Sequence, residues 1–192
     1  MSVLRRAALL LALAPSALAQ LGPPLIPAEN PITEPKRLLG KALFWDEQLS
    51  SDNTTACETC HIPGFGGSDP RADLFGRDPG LDGVSGTADD KVGSPGVIAT
   101  DTEGDYSPHP VFGLQQQITR RSASSPIGAG HFFELFWDGR AEGTFVDPET
   151  GQVSITQYGA LESQAVGPIV SSVEMAWPGR TWDDVREKLE RV

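Results

Sequence analysis

The chain is poor in the residues that most often carry chemistry. It has two cysteines, three histidines and two methionines among 192 residues. Basic residues are also scarce: 15 Lys and Arg stand against 26 Asp and Glu, a net charge of −11. An acidic chain of this kind is a poor partner for nucleic acid or an anionic membrane surface. The one hydrophobic run, Ala7 to Ala14, is too short to span a bilayer as a stable helix. No internal repeat is visible. Glycine and proline are plentiful instead, at 21 and 16, which implies much irregular structure. The length suits one domain, and 39% hydrophobic residues suffice for a core.

Both cysteines and one histidine fall in five residues, Cys57-Glu58-Thr59-Cys60-His61. C-x-x-C-H is the attachment signature of a c-type haem. The thiols add across the two vinyl groups, and the histidine sits below the iron as proximal ligand. Other readings fare worse. A thioredoxin-like pair wants a hydrophobic helix after it, but Pro63 and Gly64 stop one at once. A structural zinc site needs four ligands, and His109 and His131 lie at unsuitable distances. A plain disulfide leaves His61 unexplained.

The N-terminus agrees. Arg5 and Arg6, the apolar run and Ala17-Leu18-Ala19 read as a signal peptide over residues 1–19. The mature chain is then expected to start at Gln20 in the periplasm, with no membrane insertion after cleavage. Covalent haem attachment takes place outside the bacterial cytoplasm, so the two signals fit together. Acidity also suits a basic electron donor.

Along the chain, residues 20–32 read as a proline-rich extended arm. A helix is expected from about Thr33, with Pro35 in its first turn and Leu38, Leu39, Ala42 and Leu43 at helical spacing. Thr55-Ala56-Cys57-Glu58 reads as a capping box opening a short helix through the haem cysteines. Residues 64–110 are turn-rich and acidic. Their clustered aspartates on glycine-bent loops raise the possibility of calcium, although the spacing is not that of an EF-hand. A hairpin is expected around Asp147 to Gly151, and a short helix over Leu161 to Val166. A last helix is capped by Thr181 with Asp184, and has an apolar face of Val185, Leu189 and Val192. The sequence stops inside that helix, which suggests truncation. Taken alone, Glu174 reads as a surface acid, Trp137 as a packed aromatic and Gln164 as a solvated helix residue. Asp138 and Arg140 read as an ion pair or a propionate contact. His131 is expected to pack among Phe132 and Phe133.

Four ordered blocks carry a family resemblance. They are Leu39 to Asp46 with Leu49-Ser50 and the Cys57–His61 motif; Phe136 to Ala141; Leu161 to Ala165; and Gly167-Pro168-Ile169 with Glu174-Met175. Together they resemble the N-terminal, peroxidatic haem domain of bacterial di-haem cytochrome c peroxidases, the family that includes the MauG-type enzymes. The resemblance implies a mainly α, cytochrome-c-like haem domain with long irregular loops over residues 33–192. It implies Glu174 as distal-pocket glutamate, Gln164 as distal glutamine, Trp137 as the aromatic between two haems and His61 as proximal ligand. His109 is the candidate for a distal histidine. One haem c is expected here and a second in a full-length protein, since a second C-x-x-C-H is lacking. Ser122 stands about where the family has an asparagine ligand to calcium.

The implied activity is reduction of hydrogen peroxide to water, with electrons from a small cytochrome c or cupredoxin. Two other readings stay open: a mono-haem periplasmic electron carrier, with Met175 as iron ligand, and a MauG-like oxidase acting on another protein.

Overall fold

A computed structural model describes residues 22–191. The signal peptide expected over 1–19, Gln20 and the terminal Val192 lie outside the described residues. Among those described, no helix is long and apolar enough to cross a membrane.

The described residues are 25% helical and 13% strand. This corrects the expectation of a mainly α fold. Helices are short, strands are shorter, and loops carry most of the path. Glycine and proline punctuate the sequence too often for long elements to form.

Helix α1, Glu34–Phe44, begins at its N-cap Thr33, whose hydroxyl accepts the Lys36 amide, and Pro35 sits in the first turn as expected. None of its side chains is buried. Helix α2, Cys57–Cys60, starts one residue later than the expected box: Ala56 is the N-cap, and Thr59 Oγ1 accepts the Ala56 amide. Thr55 is not the cap, because its own amide is drawn to Ser50 Oγ at 3.0 Å.

Two strands that the sequence did not signal organise the core. Strand β1, Pro95–Ile98, pairs antiparallel with β2, Gln116–Ile118, in a register of Pro95 with Ile118 and Ile98 with Gln116. Val97 and Ile118 are fully enclosed, and Leu49, Met175, Ala176 and Val185 are also buried. Burying side chains of this size stabilises by roughly 1.5–3 kcal/mol each before entropy is counted. A Cβ on Gly96 would overlap the Val173 carbonyl oxygen, so glycine lets the 171–176 segment lie directly on β1.

The expected hairpin is present as β3, Phe145–Val146, paired with β4, Val153–Ile155, around the Asp147–Gly151 turn. Helix α3, Ala160–Ala165, follows. Helix α4, Trp182–Glu190, carries the Thr181–Asp184 capping box and buries Val185. The N-terminal arm has no regular structure over residues 22–33; its Leu25 amide bonds Gly130 O at 2.8 Å.

Candidate functional site

The short helix α2 brings both thiols and the histidine to one place. His61 caps it, with its amide on Cys57 O at 2.9 Å. The imidazole Nδ1 lies 3.1 Å from Gly67 O. A carbonyl only accepts, so Nδ1 carries the proton and Nε2 keeps its lone pair. That tautomer is the one a metal-ligating histidine needs.

Cys57 and Cys60 are half-buried and not joined to each other. Burial pushes the Cys57 thiol above its ordinary value. Burial, with the Asp69 carboxylate nearby, pushes Cys60 up to about 11. Reactive dithiol pairs have the reverse, a depressed thiol. The raised thiols lack the depressed pKa that marks a redox-cycling pair.

A buried ion pair holds the end of α2. Arg71 bonds Asp69 through Nε and Nη2 at 2.9 and 3.0 Å, and Nη2 reaches the Thr59 carbonyl at 2.5 Å. Burial alone would raise the Asp69 carboxyl, but the hydrogen bonds from Arg71 carry it below its ordinary value.

Glu174 faces the same region from the other side. It is tethered through its neighbours: Val97 N–H donates to Val173 O at 3.2 Å, and Gln117 Nε2 donates to Ser172 O at 2.8 Å. Burial pushes its carboxyl above the ordinary value, against the pull of a Ser171 hydrogen bond, Arg140 and His61. A carboxyl that senses the haem-motif histidine and is reluctant to ionise is a candidate proton-transfer group.

Glu174 lines a cavity of about 560 Å³ with His109, Phe112, Arg120 and Arg140. Asp78 and Gly80 of the acidic loop form one wall. Arg140 lies 3.3 Å above the centroid of the Phe136 ring and pairs with Asp138 at 3.1 Å. Phe136 holds a left-handed φ of 69°, a strained conformation for an aromatic, and this turns the Phe136–Arg140 loop back sharply. Arg121 also reaches Asp138, at 2.8 Å. The hydrogen bond from Arg121, with Arg140 beside it, holds the Asp138 carboxyl down at about 2. The ion pair expected from the sequence is therefore a three-residue cluster.

His109 lines the cavity, but its Nδ1 accepts the amides of Val111 and Phe112 at 3.1 and 3.3 Å. Gln164 is half-buried on α3, outside that lining. Trp137 is 87% exposed, with the Arg121 guanidinium 5.2 Å from its ring. The structure thus brings Glu174 and His109 together and leaves Gln164 and Trp137 apart from them. Met175 is buried in the core. His131 does not pack among its phenylalanines. Its ring nitrogens lie 2.8 and 3.2 Å from Gly22 O and Gly128 O, and Phe132 and Phe133 are exposed.

The acidic loop spends Asp89 and Asp90 on itself, while Asp78 pairs with Arg120 at 3.0 Å. Asp89 accepts the Leu81 and Asp82 amides and the Thr87 hydroxyl, and Asp90 accepts the Gly86 amide. Among the described residues, no three His, Cys, Asp or Glu side chains group as a metal site. Sequence reasoning missed the Arg71 brace, the Arg120 and Asp78 wall, and Ser171. The Arg120–Asp78 pair and the reach of Arg71 to Thr59 O act across loops and have no local signal, whereas Asp69–Arg71 and Ser171–Glu174 are close in sequence and could have been found there.

The residues fit a haem c. Two protonated thiols and a histidine of the right tautomer share one turn. The Phe44 ring at the end of α1 lies 6.4 Å from the His61 ring, centroid to centroid, and Leu38 and Leu39 of the same helix are 53% and 58% exposed. An apolar macrocycle suits such a face.

Comparison with known proteins supports the same assignment. The chain is 28% identical over 166 residues to cytochrome c peroxidase Ccp of Escherichia coli K12, covering 86% of this chain and 24% of that protein. It is 50% identical over 52 residues to cytochrome-c peroxidase IdrP1 of Denitromonas iodatirespirans, 27% of this chain and 14% of the relative. It is 49% identical over 55 residues to methylamine utilization protein MauG of Methylorubrum extorquens, 28% of this chain and 16% of that protein. The matched stretch therefore spans a quarter or less of each of these relatives. The family model described as di-haem cytochrome c peroxidase matches residues 34–192. This chain belongs to the di-haem cytochrome c peroxidase family.

Proposed function

We propose that residues 33–192 are the N-terminal haem domain of an exported, periplasmic peroxidase. It reduces hydrogen peroxide to water with electrons from a small donor such as a cytochrome c or a cupredoxin. The observation that carries this reading is the buried Glu174 carboxyl, lifted above its ordinary value, which lines a cavity with His109 and Arg140 and interacts electrostatically with His61 and Cys60 of the C-x-x-C-H turn.

Cys57 and Cys60 would hold haem c covalently, and His61 Nε2 would ligate its iron. When bound, the haem supplies a redox-active iron that accepts the oxidising equivalents of peroxide. The protein's part is proton traffic. Glu174, once deprotonated, takes the proton from one peroxide oxygen and returns it to the other, which leaves as water. Two electrons and two further protons complete the reduction to a second water. Arg140, across the cavity, balances the charge on the carboxylate. Ser171 orients it by hydrogen bonding. Gln164 and Trp137 enter this reading through the resemblance: Gln164 as a hydrogen-bonding side chain for peroxide, Trp137 as an aromatic bridge for electrons from a second haem. Trp137's exposure leaves its ring accessible to whatever docks on that face.

Glu174→Gln keeps the shape and removes the base. The expected result is intact haem content and a rate of reaction with peroxide about 10²–10⁴-fold lower. Unchanged kinetics would remove Glu174 from the mechanism.

A further inference from the structure

The Asp69–Arg71 pair is unlike the other ion pairs among the described residues. Its side chains are 0% and 27% exposed. In every other pair the arginine is at least 43% exposed. Exposed pairs are screened and contribute little. A buried pair is seldom better for stability than apolar side chains of the same volume. What it does supply is two fixed charges where the local dielectric is low, so each acts strongly on its neighbours.

The neighbour is the C-x-x-C-H turn. Arg71 Nη2 donates to the Thr59 carbonyl at 2.5 Å, inside that turn and next to Cys60. The Cys60 thiol senses both members of the pair: the Asp69 charge pushes it up, and Arg71 pulls it down by its charge and a hydrogen bond. The same strap of chain serves the histidine, since Gly67 O lies 3.1 Å from His61 Nδ1 and Ser68 bridges Ile62. The strap is pinned from behind. The Asp69 amide donates to Ala123 O at 3.2 Å, and Gly67 lies so close to Pro126 that a Cβ there would come within 2.6 Å of its Cδ. The two charges are therefore fixed relative to the turn.

With haem c attached, the Cys60 sulfur is a substituent on the edge of the macrocycle, so charges fixed beside that sulfur are charges fixed beside the haem. A positive charge there opposes the ferric state and a negative charge favours it. We infer that Asp69 and Arg71 are a positioning pair that sets the redox potential of the haem held at Cys60, Arg71 raising it and Asp69 lowering it. The inference rests on the haem attachment of the proposed function and does not need peroxide turnover.

The test uses the haem-loaded protein, with Asp69→Asn, Arg71→Gln and Arg71→Lys beside wild type. A pyridine haemochrome spectrum first establishes haem content; its absence in wild type overturns the attachment reading and this inference with it. A spectroelectrochemical titration then reads the midpoint potential. It should rise in Asp69→Asn, which keeps the shape and an acceptor but loses the negative charge. It should fall in Arg71→Gln and stay close to wild type in Arg71→Lys, which keeps the positive charge without the fork. A pair that merely braced the turn would move Asp69→Asn and Arg71→Gln the same way, because both break the same fork. Opposite shifts support the inference; any other pattern with haem present overturns it and leaves the peroxidase reading untouched. Should one of those two variants fail to hold haem, the other decides against Arg71→Lys: it must shift further than Arg71→Lys in its stated direction, and a lesser or reversed shift overturns the inference.

Discussion

The two sides of the C-x-x-C-H turn are built differently. On one side, β1, β2 and the 171–180 segment form a dense knot. Val97, Ile118 and Met175 are enclosed, and backbone or amide hydrogen bonds tie each strand to Ser172 and Val173. On the other side, α1 has good caps and helix-forming residues but buries nothing. The first region is complete as protein. In the second, no side chain of α1 is buried, and Leu38 and Leu39 are more than half exposed. This contrast predicts that the knot holds Glu174 in place without cofactor and that α1 and α2 lose order when haem attachment is removed.

Removing attachment should break this contrast most strongly. Cys57→Ser with Cys60→Ser is expected to abolish covalent haem entirely. Amide exchange over 34–60 should rise toward unprotected rates while β1 and β2 keep their protection. Equal loss in both regions would mean that the knot also depends on haem.

Breaking the knot is the next largest effect. Ile118→Ala removes a fully buried side chain and is expected to cost about 2–5 kcal/mol by denaturant melt. Gly96→Ala acts on position as well as stability, because its new methyl must displace the Val173 carbonyl. It is expected to destabilise by about 1–3 kcal/mol. It should also lower the peroxide rate, since Glu174 follows directly. Lost stability with unchanged peroxide kinetics would separate the knot from the site.

The smallest effect belongs to Asp138 at the surface. Its carboxyl is held down at about 2, so its contribution is present above the unfolded carboxylate range and is lost as pH falls through about 2. Between pH 5 and 8, Asp138→Asn should leave the pH dependence of stability unchanged. A melting profile that diverged from wild type in that range would show that the cluster does more than order its own loop.

Sequence legibility followed the length of each interaction. Helix α1, the 145–155 hairpin and α4 were readable because caps, turn residues and periodicity are local. The haem turn was readable because its chemistry fits in five residues. Strands β1 and β2 were not, since four and three residues carry no usable period and their partners lie far along the chain. The mainly α expectation came from the family resemblance and the local helix signals, and these short strands gave nothing to set against it. Glu174 was found by resemblance alone; its burial comes from β1 and Gln117, which nothing near residue 174 announces.

The most direct test of the account is the pH dependence of kcat/KM for hydrogen peroxide in haem-loaded wild type and Glu174→Gln. The rate in wild type should fall on the acid side with a midpoint above the ordinary glutamate value, because the base form of a buried carboxyl is required. Glu174→Gln should lose that inflection along with most of the rate. The same inflection in both proteins would contradict the account and assign the proton transfer to another group.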